Sequence, residues 1–293
     1  METVSSPGSG WLSEYRREGF TIRRGFLSPR EVNILRDAAG RMVKTAPGAP
    51  GAGRDPRGGE VDHPGDFDFT RLAGGGHVLS RIRAPLARSP ALRHAYADPR
   101  LLSLVQALYG DDFLPFDESI VIKLPENGAG FAWHQDGGFK TGPAPERGVN
   151  FGLYLNDSTP GNGCLHVVPG SHTRGRIDLS DETDGPPSAV PVVAAAGDLV
   201  LHSRNLVHGS HANESSDLRV TVYFGFHARQ TVAGVYSTEQ ITQRMRCIPL
   251  CIQERVASGL FPGEEPFIYH PLATVELSPR KREQALRSPS LSI

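Results

Sequence analysis

Cysteine is scarce in this sequence, with only Cys164, Cys247 and Cys251 among 293 residues. A small, odd number argues against a disulfide framework and is typical of a reducing compartment, so we expect a cytoplasmic protein. Cys247 and Cys251 are four residues apart and could share a helix face, but the further ligands of a zinc site are missing at the usual spacing. We therefore expect both thiols to be buried apolar side chains.

The sequence also lacks a charge excess and a long apolar run. Its 31 Lys and Arg against 32 Asp and Glu give a net charge of −1, so no overall field favours nucleic acid or an anionic membrane. No stretch of about 18 apolar residues could span a bilayer, and the first ten residues lack the basic and apolar regions of a secretory signal. We expect neither nucleic acid nor membrane as a partner, and no pattern indicates an oligomeric state.

Motifs of several common enzyme classes are missing as well. The sequence contains no P-loop, no glycine-rich dinucleotide fingerprint and no nucleophilic Ser motif. Helical signals are found in the first third of the chain and again near its C-terminus, at Thr238–Met245 and Cys251–Val256. Ser28-Pro29-Arg30-Glu31 is a capping box with Pro at the first helical position. We expect a further single helix over Ser89–Tyr109, opened by Pro90.

Short β runs separated by turns follow from about residue 113 to 230 and predict a sandwich or barrel. Within them, Val190–Leu201 and Arg219–Phe226 are expected to pair as a hairpin. We expect one domain over residues 11–277, after a disordered leader at 1–10 and before a loose tail at 278–293. The glycine- and proline-rich stretch 45–76 is long for a loop, and we favour a lid over the active site rather than simple disorder.

The chemistry is concentrated around the sequence Trp133-His134-Gln135-Asp136. In a strand, residues two apart point to the same side, so His134 and Asp136 can face one cavity. With a distant third ligand, His208, they would form the two-His-one-carboxylate triad that holds non-haem Fe(II). Because the chain has 11 His, structural roles are the alternative for each of them.

Arg219 lies eleven residues after His208, where its guanidinium could grip the far carboxylate of an organic acid bound at the metal. His211 could compete with His208 as a ligand. We prefer His208 because Gly209 and Ser210 follow it and because its spacing to Arg219 is the expected one.

Several blocks in the right order resemble the phytanoyl-CoA dioxygenase family of Fe(II)/2-oxoglutarate oxygenases, over roughly residues 12 to 228. The blocks are Tyr15-Arg-Arg-Glu-Gly19-Phe20, Gly25-Phe-Leu-Ser28, Lys123-Leu-Pro125, Trp133-His-Gln-Asp136, Asn162-Gly-Cys-Leu165, Val168-Pro-Gly-Ser-His172, Gly197-Asp198, His208-Gly-Ser210, Asn213, Ser215 and Arg219. The resemblance implies a mostly β fold with flanking helices, a double-stranded β-helix (jelly roll, cupin-like), with its core at about 113–230.

The resemblance also implies roles for individual residues. His134, Asp136 and His208 match the iron ligands, and no catalytic side chain is expected beyond the metal centre. The residues that match contacts to the co-substrate 2-oxoglutarate are Arg219, Ser210 and Lys123. The resemblance implies that Fe(II), 2-oxoglutarate and O2 together oxidise a substrate, with release of succinate and CO2. The carboxylate of Asp136 implies an oxygen-derived outcome rather than halogenation, because related halogenases have a small residue there. Hydroxylation is the default, and desaturation, epoxidation and cyclisation, which would use the same residues, stay open.

The expected substrate is a small or mid-sized metabolite, for instance of bacterial natural-product biosynthesis. Closeness to the ligands in sequence suggests Phe139, Arg147 and Arg204 as its contacts. A coenzyme A thioester is not favoured, although Arg71, Arg81 and Arg83 could serve it. Two rivals stay open, a non-catalytic jelly-roll binding protein and a protein or peptide hydroxylase with an open groove.

Overall fold

Two antiparallel sheets form the centre of the fold. The computed structural model describes residues 10–72, 74–126, 128–136, 148–179, 185–232, 236–272 and 276–287. The strands are β1 (Phe20–Arg23), β2 (Phe67–Arg71), β3 (His77–Arg83), β4 (Phe113–Lys123), β5 (Phe131–His134), β6 (Val149–Tyr154), β7 (Leu165–Val167), β8 (Val190–Val192), β9 (Leu199–Ser203), β10 (His208–Ser210) and β11 (Arg219–Ala228). One sheet has the strand order β1-β9-β6-β11-β4-β3-β2 and the other β5-β10-β7-β8.

Helices cover the outer face of the larger sheet. They are α1 (Gly10–Glu18), α2 (Pro29–Lys44), α3 (Pro85–Arg88), α4 (Pro90–Tyr96), α5 (Pro99–Tyr109), α6 (Arg229–Val232), α7 (Thr238–Met245), α8 (Cys247–Ala257) and α9 (Pro279–Leu286). The capping box of α2 forms as expected, with Ser28 accepting from the Glu31 amide and Glu31 accepting from the Ser28 amide. The fold class expected from the sequence is therefore confirmed.

The alternation of side chains along β11 explains why one strand serves both a core and a site. Val220, Val222 and Phe224 belong to the main apolar core between the sheet and the helices. The intervening Arg219 and Tyr223 line a cavity on the opposite face. A strand with period-two side chains can meet both demands without a break in the ladder.

The single helix expected over Ser89–Tyr109 is wrong, because the structure contains two helices there. The first, α4, ends at Tyr96, and α5 begins at Pro99 with Asp98 as its N-cap. Pro99 has no amide hydrogen to donate to the preceding turn and restricts the residue before it, so the first helix cannot continue through it.

The expected hairpin between Val190–Leu201 and Arg219–Phe226 is also wrong. β8 pairs with β7, while β9 pairs with β1 and β6. β6 lies between β9 and β11 and separates them. From β8 to β11 successive strands alternate between the two sheets, and local alternation of side chains carries no information about this.

Residues 45–76 contain β2, which is an edge strand of the larger sheet. Pro64–Asp66 form a short 3-10 helix, and β2 then pairs with β3. Phe67 is buried, with the Arg88 guanidinium 4.7 Å from its ring centroid. None of the described residues of this stretch is among the cavity walls given below, so the lid stays a prediction.

The C-terminal helices pack onto the β core. Arg244 of α7 forms a buried ion pair with Glu118 of β4, and Cys247 and Cys251 of α8 are fully buried, as expected. In the predicted tail, α9 ends in the buried Leu286, and residues 288–293 lie outside the described part. Of the predicted leader, only Gly10 is described, where α1 begins. The division into leader, domain and tail stays a prediction. Among the described residues, no helix is both long and apolar enough to cross a membrane.

Candidate metal centre

The pairing of β5 with β10 brings two of the three expected ligands together. His134 and His208 are partners in the antiparallel register, and their ring centroids are 4.2 Å apart. Asp136 follows β5 by two residues, with its Oδ1 at 3.4 Å from His134 Nε2 and its Oδ2 at 3.8 Å from His208 Nε2. One potential ligand atom from each of the three residues lies within 4.8 Å of the others.

Both imidazoles are oriented by backbone carbonyls. The Nδ1 of His134 lies 2.7 Å from the Ala132 carbonyl oxygen, and the Nδ1 of His208 lies 2.9 Å from that of Leu206. Since a carbonyl only accepts, each Nδ1 carries the hydrogen and each Nε2 presents a lone pair. This is the tautomer that a metal requires, fixed by a partner on the far side of the ring.

The charges also fit a cation. Burial, and next the charge of His134, lower the pKa of His208 to about 4, which keeps this ring neutral. For Asp136, burial opposes ionisation, but the positive charge of Arg204 and then the two histidines outweigh it and hold the pKa well below its usual value. For His134, burial lowers the pKa, but the hydrogen bond to Asp136 and its charge outweigh burial and raise the pKa above its usual value. A metal bound at Nε2 takes the place of that proton. Two imidazoles and one carboxylate are the donor set of the non-haem Fe(II) triad. The residues present therefore fit the metal expected from the sequence.

A hydrogen-bond network supports Asp136 from the side of β6 and β9. The Asn150 amide donates to Asp136 Oδ2 at 2.7 Å and lies 3.1 Å from Nε2 of the buried His202. Arg204 donates to the Asp136 carbonyl at 3.1 Å and to Asn150 Oδ1 at 3.4 Å. Its guanidinium also lies 4.2 Å from the Phe116 ring centroid. Asp136 is thus held at both its backbone and its side chain.

A pair of buried cations lies deeper in the sheet. Arg219 and Lys123 are cross-strand partners on β11 and β4, and both are almost fully buried. Arg219 donates to the Gly163 carbonyl and Lys123 to that of His211. Neither forms a salt bridge within the described part of the chain, and the Arg219 Nε, like the Thr221 hydroxyl, has no hydrogen-bond partner there.

Burying two cations without a counter-ion is costly. Burial, and next the charge of Arg219, lower the pKa of Lys123 to about 7. The arrangement is therefore prepared for an anion that a ligand supplies, and a guanidinium beside a primary amine suits a carboxylate.

The three potential metal ligands, Asn150, His202, Arg204 and Arg219 line one cavity of about 440 Å³, whereas Lys123 is not among its wall residues. Its walls are formed by Arg81, Arg83, Phe116, Asp117, Ser119, Val121, Phe131, His134, Gln135, Asp136, Asn150, Leu165, His202, Arg204, His208, Gly209, Ser210, Arg219, Tyr223 and Tyr236. Of the residues expected from the sequence, Ser210 and Arg204 are therefore at the site. Phe139 and Arg147 lie outside the described residues. His211 is not part of the triad and contributes a carbonyl to Lys123.

Several wall residues were missed from the sequence, among them Asn150, His202 and Tyr223. A usable signal was present for Tyr223, because residues two and four positions after Arg219 in one strand share its face. No such signal exists for Asn150 or His202. Their strands come next to the site only through the order of the sheet.

Comparison with known proteins agrees with this geometry. The family model described as phytanoyl-CoA dioxygenase (PhyH) matches residues 15–221. An ectoine dioxygenase from Halomonas elongata is 27% identical over 249 residues, covering 74% of this chain and 69% of that protein. The crystal structure of AviO1 from Streptomyces viridochromogenes Tue57 is 27% identical with a TM-score of 0.59, covering 78% of this chain and 97% of that one.

A further solved structure shows the same fold. EctD from S. alaskensis, crystallised with 2-oxoglutarate and 5-hydroxyectoine, is 23% identical with a TM-score of 0.63, and the match covers 79% of this chain and 80% of that one. The match of the family model, together with the intact triad, answers the question of identity. The chain belongs to the phytanoyl-CoA dioxygenase family and is a dioxygenase of the non-haem Fe(II)/2-oxoglutarate type.

Proposed function

We propose that His134, Asp136 and His208 hold Fe(II) in this protein and that the protein, with this metal bound, hydroxylates a small-molecule metabolite. The observation that carries the proposal is the convergence of two Nε2 lone pairs and one carboxylate oxygen within 4.8 Å. A metal held by only these three side chains would have room for the co-substrate and O2. Asp136, held by Asn150 and Arg204, keeps the carboxylate whose loss would favour halogenation.

The second part of the proposal concerns 2-oxoglutarate. The buried Arg219 binds its far carboxylate, assisted by Lys123 and the Ser210 hydroxyl. The unpartnered Arg219 Nε and the absence of a salt bridge at either cation within the described residues support this role. A far carboxylate anchored there directs the keto-acid end of the molecule towards the three ligands.

The metal, when bound, supplies the redox chemistry that couples oxidation of 2-oxoglutarate to succinate and CO2 with oxidation of the substrate. The work of the chain's own residues is orientation and exclusion of water. The carbonyls of Ala132 and Leu206 fix the two imidazoles, and Asn150 fixes the carboxylate. Phe116, Val121 and Leu165 give the cavity apolar walls against which a target C–H group can be positioned.

The substrate is a small molecule. A cavity of about 440 Å³ that also receives the co-substrate leaves room for a compact metabolite, within the usual range of ligand pockets. The ectoine dioxygenase from Halomonas elongata is named for a substrate of this class. A cavity with a complete set of three potential ligands supports this function over a non-catalytic binding protein, and its limited volume favours a small molecule over a peptide. A role in natural-product biosynthesis and a cytoplasmic location stay predictions.

The conservative variant Arg219→Lys tests the co-substrate site. An ammonium cannot reproduce the two-pronged contact of a guanidinium, so we expect the Kd for 2-oxoglutarate to rise on the order of tenfold or more. The measurement is a titration of the Fe(II)-loaded protein with 2-oxoglutarate under argon, using the Arg17→Lys variant as the exposed control. An unchanged Kd removes Arg219 from the proposed site.

A further inference from the structure

One cation of the cavity is used by neither the metal centre nor the co-substrate site. Arg81 of β3 lines the cavity, and its guanidinium lies 5.7 Å from the centroid of the Phe131 ring. Within the described part of the chain it makes no salt bridge and no side-chain hydrogen bond. An arginine facing a cavity with an aromatic ring as its contact is well placed to receive an anion.

The other cations around the cavity are already engaged. Arg83, two residues along the same strand, has both Nε and Nη2 on the Asp68 carboxylate, at 3.1 and 2.8 Å. Arg204 is hydrogen-bonded to Asp136 and Asn150. Arg219 and Lys123 are deeper and belong to the proposed co-substrate site. Among the described wall residues, Arg81 is thus the cation that takes part in neither the metal centre, the co-substrate site nor an ion pair.

The free carboxylate of the cavity does not neutralise Arg81. Asp117 forms no salt bridge with it. Arg81 is the register partner of Val121 on β4, and Asp117 lies four residues before Val121 on that strand. At the usual strand rise, the Cα atoms of Val121 and Asp117 are about 13 Å apart. With Fe(II) and 2-oxoglutarate bound, Asp136 and both co-substrate carboxylates are also engaged, so the positive charge of Arg81 still lacks a counter-ion.

We infer that the substrate carries a carboxylate and that Arg81 is the residue that binds it. This inference rests on the proposed function and deepens it from a small molecule to an organic acid. Phe131, whose ring is 5.7 Å from the guanidinium, is the first residue of the ligand strand β5, and His134 is its last. An acid anchored there has its carbon chain directed along the apolar wall residues beside the metal.

The test uses matched pairs of acids and amides as probes, since an amide keeps the shape and removes the charge. The pairs are L-proline with L-prolinamide, hexanoate with hexanamide, and phenylacetate with phenylacetamide. Each is titrated under argon into the protein loaded with Fe(II) and 2-oxoglutarate, and the perturbation of the visible charge-transfer band reports binding beside the metal. We expect at least one acid to bind about tenfold more tightly than its amide, as a charge-assisted contact requires.

Variants assign that preference to Arg81. In Arg81→Gln the preference should fall to within about twofold, and Arg81→Lys should retain part of it. The matched control is Arg71→Gln, which removes the same charge from the exposed end of β2, away from the cavity walls. The control should bind acids as the wild type does.

Three results overturn the inference. Amides that bind as tightly as acids in every pair contradict it, as does an acid preference that survives in Arg81→Gln. A loss of 2-oxoglutarate affinity in Arg81→Gln, with the acid preference intact, moves the residue to the co-substrate site. A wild-type protein that forms no band with Fe(II) and 2-oxoglutarate removes the proposed function itself, which distinguishes the two failures.

Discussion

At the scale of single residues, Lys123 makes a pH-dependent prediction. Its pKa is lowered to about 7 by burial and next by Arg219, so the free protein loses this positive charge as the pH rises through about 7. A bound carboxylate favours the charged amine, and the affinity for 2-oxoglutarate should therefore be constant below that pH and fall above it. The measurement is the Kd for 2-oxoglutarate as a function of pH.

The neutral variant Lys123→Met is the control for this prediction. Its Kd should be weaker at low pH and should lack the dependence near pH 7, because the titrating group is gone. The titration should extend to pH 9, about two units above the lowered pKa. A wild-type Kd for 2-oxoglutarate that does not change between pH 6 and pH 9 would contradict a role of Lys123 in binding the co-substrate.

The residue scale is also where the sequence was most informative. His134 and Asp136 were predictable because an i, i+2 pair shares a face of a strand, and the structure brings both to His208. The tautomer-fixing carbonyls of Ala132 and Leu206 were not predictable, because backbone groups leave no mark in a sequence. Asn150 was missed for a related reason, since only the neighbouring position of β6 and β9 brings its amide to the metal ligand.

At the scale of elements, the close contact of β5 and β10 holds the metal centre together. Gly209 lies between His208 and Ser210, and a Cβ at this position would come within 2.9 Å of the Trp133 ring and 3.2 Å of the Phe131 carbonyl. Gly209→Ala should therefore push the two strands apart and separate His208 from His134. We expect Fe(II) affinity to fall on the order of tenfold or more, the scale of changes in the support of metal ligands.

Gly40→Ala is the matched control for this prediction. Gly40 lies inside α2, and a Cβ there meets nothing within 4 Å. This variant should leave Fe(II) affinity unchanged and raise the free energy of unfolding by roughly 0.5–1 kcal/mol. Equal Fe(II) affinities in both variants, measured by anaerobic titration, would show that the β5–β10 spacing does not control the site.

Elements were predictable where their signals are local. The capping box of Ser28 and Glu31 and the short strands after residue 113 follow from neighbouring residues. The break at Pro99 was missed although Pro ends helices, because the apolar pattern continues through it. The pairing of β9 with β1 and β6 depends on the whole sheet, and no local pattern could reveal it.

At the scale of the whole molecule, the C-terminal helices stabilise the sheet that carries the site. Arg244 of α7 and Glu118 of β4 form an ion pair with side chains that are 3% and 0% exposed. Removing one partner leaves a buried charge without its counter-ion. Glu118→Gln should therefore lower the free energy of unfolding by about 3–5 kcal/mol, as measured by denaturant titration.

The exposed ion pair between Arg17 and Glu18 is the control at this scale. Arg17→Ala should leave the denaturation midpoint unchanged, because water already screens that pair. A midpoint equally unchanged in Glu118→Gln would show that the ion pair between α7 and β4 does not stabilise the fold. The C-terminal helices follow residue 221, where the match to the family model ends. The family match therefore does not account for their contribution to stability.

The most direct test of the central claim is an anaerobic titration of the apoprotein with Fe(II) and 2-oxoglutarate, recording the visible metal-to-ligand charge-transfer band. A band that appears only with both additions and is lost in His134→Ala, while that variant stays folded, is the predicted result. Admission of air should then release succinate. A folded wild-type protein that develops no band would contradict the assignment of His134, Asp136 and His208 as an iron centre.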